Sequence, residues 1–384
     1  MERRAFLQTC GCCGLAAAGS LLMGYDLPPR LPRPDPHTDE GGLWAMLDRE
    51  EERLKRSPFR VREAGLNDYV HGVACRLGQV HCPDLRTYVM RSPYFNANMA
   101  ANGMMQVWTG LLLRTSNEAQ LAAVVGHEIG HYLSRHSLAG LRDAKARSAW
   151  ATMLMTIPIA GPLAALGTLA GGFAYTRDQE RAADSIGMDL MAAAGYPPMQ
   201  ASMVWSNLIE ELAAEKDWSG DAGKRSYLFA THPMEQERQA AMAAKARTLG
   251  LADRDPAAGA LRQAIAPYRG PWLEDELKRR RFGESRALLT RLRADDPADG
   301  ETAFFLGELY RKRNEAGDPE RALATLEEAA ALPGAPPEVY RSMGMVHQKA
   351  GRIPEMKSAF ARYLEAKPGA EDAEMIRSYL EQGS

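Results

Sequence analysis

The chain has 384 residues, enough for two or three domains with a substantial core. Its 47 Lys+Arg against 49 Asp+Glu leave a formal net charge of -2, which excludes the basic footprint of a nucleic-acid-binding protein. The 19 Met are scattered, and core packing explains them better than a soft-metal site.

The first stretch, Glu2-Arg3-Arg4-Ala5-Phe6-Leu7-Gln8 with a weakly apolar segment to Met23, reads as an export signal of the twin-arginine type. Neither a clean small-x-small cleavage site nor a lipid-attachment box around Cys10, Cys12 or Cys13 stands out. A cleaved leader and an uncleaved anchor therefore both fit, against a competing cytosolic reading in which the Cys cluster binds metal. Pro28, Pro29, Pro32, Pro34 and Pro36 make an extended tether, so residues 1–36 form a signal or anchor plus linker.

Helical patterns follow over 43–56 and 66–77. Of the remaining Cys, Cys75 and Cys82 close a short loop. They pair as a disulfide if the protein is exported, and are ordinary thiols if it is cytosolic. The run 85–90 alternates as a strand, and 105–109 forms a second after the Asn102-Gly103 turn signal. That second strand ends just before the helix carrying the chemistry. It could offer an unpaired edge to which a peptide adds through main-chain hydrogen bonds, which makes Asn102, Met105, Gln106 and Val107 candidate substrate-binding residues. An ordinary sheet strand is the equal alternative.

The chemistry centres on Gly126-His127-Glu128-Ile129-Gly130-His131, in a helix predicted over 117–136. Asn117 caps it and Gln120 completes a capping box. Two His four apart share a helix face, so both imidazoles can reach one zinc ion, with Glu128 beside them as general base. Zinc lowers the pKa of bound water to about 7; Glu128 takes the water proton and passes it to the leaving amine. Two core His satisfied by backbone carbonyls are the bland alternative. The apolar stretch Met153 to Ala174 is broken by Pro158, Gly161, Pro162, Gly167, Gly171 and Gly172. It reads as two short buried helices rather than a membrane-contacting loop.

A catalytic zinc keeps three protein ligands. The best third is Glu180, in the helical run 177–184, with Asp184 one turn on to accept a ring N–H from a ligating His. These motifs, with the run from Asn98 through Gly103, Gln106 to Leu112, and Tyr175 to Asp184, resemble the zinc peptidases that include the CAAX prenyl protease and HtpX. The resemblance spans roughly 66–238, with one departure: Ala101-Asn102-Gly103 stands where the family often has a Pro-Gly-Gly-like turn. Thr231-His232-Pro233, with Arg238 after it, resembles a further family element. The resemblance implies that His232 either stabilises the oxyanion or closes the metal site as a fourth ligand.

Beyond Leu251 the composition shifts to Ala-, Leu-, Glu- and Arg-rich helices. Leu306-Gly307-x-x-Tyr310 aligns with Met343-Gly344-x-x-His347, and Leu326-x-x-Ala329 with Phe360-x-x-Tyr363. This is the tetratricopeptide pattern, with 272–297 as a degenerate further copy. The basic run from Lys278 to Arg281 reads as a solvated helix face.

The expected fold is α+β, mainly helical: a zincin-like metallopeptidase domain with a small sheet over 37–250, then an α-helical tetratricopeptide domain over 251–384. The combination resembles the BepA-like periplasmic proteases. That resemblance implies a zinc endopeptidase acting on unfolded or stalled envelope proteins, with a barrel-assembly complex as partner and a periplasmic location, peripheral to the membrane or anchored by the N-terminus. Two alternatives stand beside it: a repeat-based chaperone or assembly adaptor whose zinc site is mostly closed by His232, and a hydrolase of non-peptide amides.

Overall fold

Residues 26–140, 175–215, 232 and 236–381 are described by a computed structural model. The export-type segment, Cys10, Cys12, Cys13, the apolar stretch 153–174, Thr231 and Pro233 lie outside these residues. Among the described residues no helix is long and apolar enough to cross a membrane.

Thr38 caps α1 (Asp39–Lys55) by accepting from the Gly41 N–H, and two acidic residues in its first turn favour that end. Helix α2 (Ala64–Gly78) buries Leu66, Val70, Val73 and Leu77 at helical spacing, then tightens into a 3-10 turn, Gln79–Asp84. A disulfide joins Cys75 on α2 to Cys82 in that turn. It takes both sulfurs out of the His71, Cys75 and Cys82 group as metal donors.

Three strands follow: β1 (Arg86–Met90), β2 (Ala97–Met99) and β3 (Met104–Trp108). Their order is β1-β3-β2, with β1 parallel and β2 antiparallel to β3. This corrects the expectation of an edge strand at Met105, Gln106 and Val107. Strand β3 is central, its backbone paired on both sides, and the strand beside the following helices is β2. Three residues are too few for alternation to reveal a strand, so β2 has no periodic signature. The Asn102-Gly103 turn does form. Gly103 has φ 88°, and a Cβ there would sit 2.1 Å from the Asp84 carbonyl oxygen, so glycine is required.

After the short α3 (Thr109–Arg114), α4 (Glu118–Leu133) runs fully buried. Asn117 caps it through the Gln120 N–H at 2.9 Å, whereas Gln120 Oε1 reaches one residue further back than a capping box requires, to the Ser116 N–H at 2.9 Å. Two further amides at that end, of Glu118 and Ala119, donate to the carbonyls of Ala257 and Pro256. Helices α5 (Arg177–Ala193) and α6 (Met199–Ala213) pack against α4, and α7 (Gln236–Leu249) packs against α5 and α6.

Then come α8 (Ala258–Ile265), α9 (Arg269–Lys278), α10 (Phe282–Asp295), α11 (Gly300–Arg313), α12 (Asp318–Ala330), α13 (Glu338–Lys349), α14 (Ile353–Ala366) and α15 (Ala373–Glu381). The pairs α11/α12 and α13/α14 close at equivalent positions. A Cβ on Gly307 would meet Leu326 at 2.7 Å, and one on Gly344 would meet Phe360 at 2.3 Å. One apolar cluster runs without a break from Leu66 through Leu121 and Leu261 to Leu326 and Ala359.

Candidate metal centre

Helix α4 offers His127 and His131 to one side, and the depth at which they meet α5 is set by glycine. A Cβ on Gly130 would lie 2.8 Å from the Ala183 carbonyl oxygen, and one on Gly187 would lie 2.8 Å from the His127 amide nitrogen. Only bare backbone lets the helices approach this closely. The approach brings Glu180 and Asp184, one turn apart on α5, under the two imidazoles.

The donor atoms converge. His127 Nε2 and His131 Nε2 are 3.1 Å apart, and Glu180 Oε1 is 3.3 Å from His131 Nε2. His232 enters the same space, its Nδ1 2.9 Å from Glu180 Oε1 and 3.2 Å from His127 Nε2. All four residues are buried, and their ligand atoms lie within 4.8 Å of one another. His232 is thus not a surface residue; it sits among the other three.

Three of the four, His127, Glu180 and His131, are held from behind. His127 Nδ1 lies 2.9 Å from Asp184 Oδ1, and Asp184 is gripped by Arg238 through Nε at 2.8 Å and Nη2 at 2.9 Å. Arg238 Nη1 also meets Glu180 Oε2 at 2.6 Å. Tyr175 stacks on His131 with ring centroids 3.8 Å apart, and His131 Nδ1 lies 2.9 Å from His136 Nδ1. His136 and the roles of Tyr175 and Arg238 were not visible in the sequence. His136 is five residues after His131, off the helical period, and it returns because Arg135 takes a left-handed φ of 55°.

The electrostatics follow from burial and these partners. Burial raises Glu128 above the ordinary carboxylate range, against the opposing effect of His232 and His127. Burial would raise Glu180 too, but hydrogen bonds from His131 and His232 carry it well below that range. Asp184 is likewise pushed up by burial and brought down by His127 and Arg238. Burial lowers His131 strongly, whereas His127, also lowered by burial, is raised overall by Asp184 and Glu180.

The donor set fits a divalent metal. Two imidazoles whose far nitrogens are engaged turn bare Nε2 lone pairs toward each other and toward a carboxylate, an arrangement that a shared cation stabilises. Glu128 Oε1 is buried with no hydrogen-bond partner, whereas Glu180 Oε2 is met by the Arg238 guanidinium. Imidazole nitrogens with a carboxylate oxygen suit a first-row divalent ion.

The expected peptide-binding residues are placed elsewhere. The Asn102 side chain donates to Asp48 Oδ1 at 2.9 Å and accepts from the Met104 N–H, tying the turn to α1. Gln106 lies opposite Asn98 in the sheet, with its side-chain amide buried and unpartnered. Instead β2 faces the centre. Asn96 and Ala100 bond across to β3, so Ala97 and Met99 turn their amides and carbonyls outward, and the Met99 N–H donates to Glu128.

Residues 60–246 match Peptidase family M48. The chain is 27% identical over 316 residues to the beta-barrel assembly-enhancing protease of Escherichia coli (strain K12), covering 69% of this chain and 62% of the relative. It is 34% identical over 149 residues to Metalloprotease YcaL of the same organism, covering 37% of this chain and 55% of the relative. The mitochondrial metalloendopeptidase OMA1 of Arabidopsis thaliana is 33% identical over 124 residues, covering 31% of this chain and 25% of the relative. The chain spans between 40% and 62% of the length of the assembly-enhancing proteases it matches.

Proposed function

We propose, on the premise that the chain belongs to Peptidase family M48 through residues 60–246, that it is a zinc-dependent endopeptidase of unfolded or misassembled cell-envelope proteins. The observation that carries this reading is the convergence of His127, His131 and Glu180 around one point with an unpartnered Glu128 oxygen beside it. His127, His131 and Glu180 would hold the ion. When bound, the ion supplies Lewis acidity, activating water and polarising the scissile carbonyl.

The chain's own residues do the rest. Glu128, its carboxyl raised by burial, accepts a proton from the attacking water and returns it to the leaving amine. Asp184 and Arg238 hold His127 in the tautomer that leaves Nε2 bare. The outward amide and carbonyl of Ala97 and the carbonyl of Met99 pair with an extended substrate backbone, which suits unfolded polypeptide.

The beta-barrel assembly-enhancing name of the Escherichia coli relative supports a barrel-assembly partner, and the twin-arginine-type N-terminus supports envelope substrates and a periplasmic location. On this reading residues 37–250 form the peptidase domain. Residues 251–384 form a tetratricopeptide-like docking domain, supported by the equivalent Gly307/Leu326 and Gly344/Phe360 closures.

One observation favours a second reading. His232 lies close enough to Glu180 and His127 to complete the ligand set as a fourth donor, which would keep the centre closed while the helical hairpins act as a chaperone or assembly adaptor. Cleavage of an unfolded protein such as casein by the purified chain, its loss on chelation and its return with zinc test the first reading. Complementation of a deletion strain separates the two. Full rescue by Glu128→Gln supports the adaptor; rescue only by the unaltered chain supports the peptidase.

A further inference from the structure

We propose that His136 is a positioning residue for this centre: it accepts the Nδ1 proton of His131 and so fixes the tautomer and ring plane in which His131 presents Nε2 to a metal ion. The inference rests on the metallopeptidase reading of His127, His131 and Glu180.

The geometry leaves one assignment of the protons. His131 Nε2 lies inside the donor cluster, 3.1 Å from His127 Nε2 and 3.3 Å from Glu180 Oε1, so a ligating His131 must leave that nitrogen bare. Its ring proton is then on Nδ1. His136 Nδ1 stands 2.9 Å from that nitrogen, and two nitrogens at this distance share one proton, so His136 accepts there and carries its own hydrogen on Nε2. The rings meet edge to face, 5.0 Å between centroids at 72°, and Tyr175 covers a face of His131 at 3.8 Å and 27°. Rotation of His131 is blocked by the stack, and its tautomer is chosen by the hydrogen bond.

The two helical ligands are therefore backed unequally. His127 leans on a carboxylate that is itself bound to a guanidinium, whereas His131 leans on another imidazole. An imidazole acceptor draws on the ligand less than a carboxylate does, so it orients His131 without adding a further anion to a pocket that already holds Glu128, Glu180 and Asp184. The left-handed Arg135 delivers His136 to this place, because five residues along a continuous helix would point it away.

Substitution in the full chain distinguishes this role from plain packing. Asn carries its amide oxygen on the same γ branch that bears Nδ1 in His, whereas the Gln amide lies one bond further out. His136→Leu should weaken zinc binding, measured by chelator competition, by about 10- to 100-fold and shift the visible bands of the cobalt-substituted protein. His136→Asn should restore most of both, and His136→Gln less. Zinc affinity and cobalt bands unchanged in His136→Leu, or Asn no better than Gln, would overturn the proposal. Should His136→Leu lose its folded circular dichroism, the comparison of Asn with Gln decides alone. If the unaltered chain takes up no stoichiometric metal, the metallopeptidase reading falls and this inference with it; if it binds metal and cleaves, the His136 variants test the inference separately.

Discussion

Asp184 is not among the four converging donors, yet two groups depend on it. His127 donates to it and Arg238 grips both its oxygens. Asp184→Ala leaves a ring N–H and a buried guanidinium without their acceptor. Zinc affinity should fall by about 10- to 100-fold in a competition titration while the helical content holds. This pairing was legible because Glu180 and Asp184, like His127 and His131, sit four apart, and helical spacing alone places them on one face. His136 and His232 were different: a left-handed residue and a long sequence separation brought them in, and neither leaves a periodic trace.

A second residue-scale test concerns pH. Arg313 forks onto Asp318 at 2.8 and 2.7 Å, and that hydrogen bonding holds the carboxyl at about 2. Because the folded value lies below the unfolded value of about 3.9, its stabilisation is complete above that pH and is lost as pH falls toward 2. Asp318→Asn should therefore melt lower than the unaltered protein at neutral pH, with the gap closing between about pH 4 and 2. A gap that persists at pH 2 would rule out this origin.

At the scale of elements, the centre exists because α4 and α5 touch backbone to backbone at Gly126, Gly130 and Gly187. Gly130→Ala would place a methyl 2.8 Å from the Ala183 carbonyl oxygen, which is backbone and cannot swing aside. The helices must part by a few tenths of an ångström. Overpacking of this kind costs about 1–3 kcal/mol in denaturant unfolding, and it should also lower zinc affinity because Glu180 retreats from His131. The glycines were visible in the sequence; their partners across the crossing were not, since helical periodicity says which face is buried and nothing about what covers it. The sheet teaches the same lesson. Alternation found β1 and β3 to within a residue, but the three-residue β2 took the edge that β3 had been expected to offer. The unpaired edge backbone lies accordingly at Ala97 and Met99 rather than at Met105, Gln106 and Val107.

Across the whole molecule, the segments before and after residue 250 share more than apolar contact. Arg114 on α3, nearly fully buried, reaches Glu211 of α6 at 2.7 Å and Glu276 of α9 at 2.8 Å. Glu211 also pairs with Arg291, and Glu276 with Arg279 and Ser285. Arg114→Leu would strand two buried carboxylates that keep other partners, so the loss should fall near the lower end of the 3–5 kcal/mol typical of broken buried pairs, about 3 kcal/mol by urea unfolding. This join could not be read from composition, which marks a change of character after Leu251 but is blind to long-range charge pairing. The hairpins themselves were legible, because Gly307 and Gly344 recur at matching places, as do Leu326 and Phe360; that each glycine meets one of those side chains came from the structure.

All of this serves one claim, that a metal held by α4 and α5 works with Glu128 to cut polypeptide. The direct measurement is zinc content and casein cleavage for the unaltered chain and Glu128→Gln prepared side by side. We predict about one zinc per chain in both, with turnover in the variant reduced by at least about 100-fold, the scale of a lost general base. Equal turnover in the two proteins at equal zinc content would contradict the account.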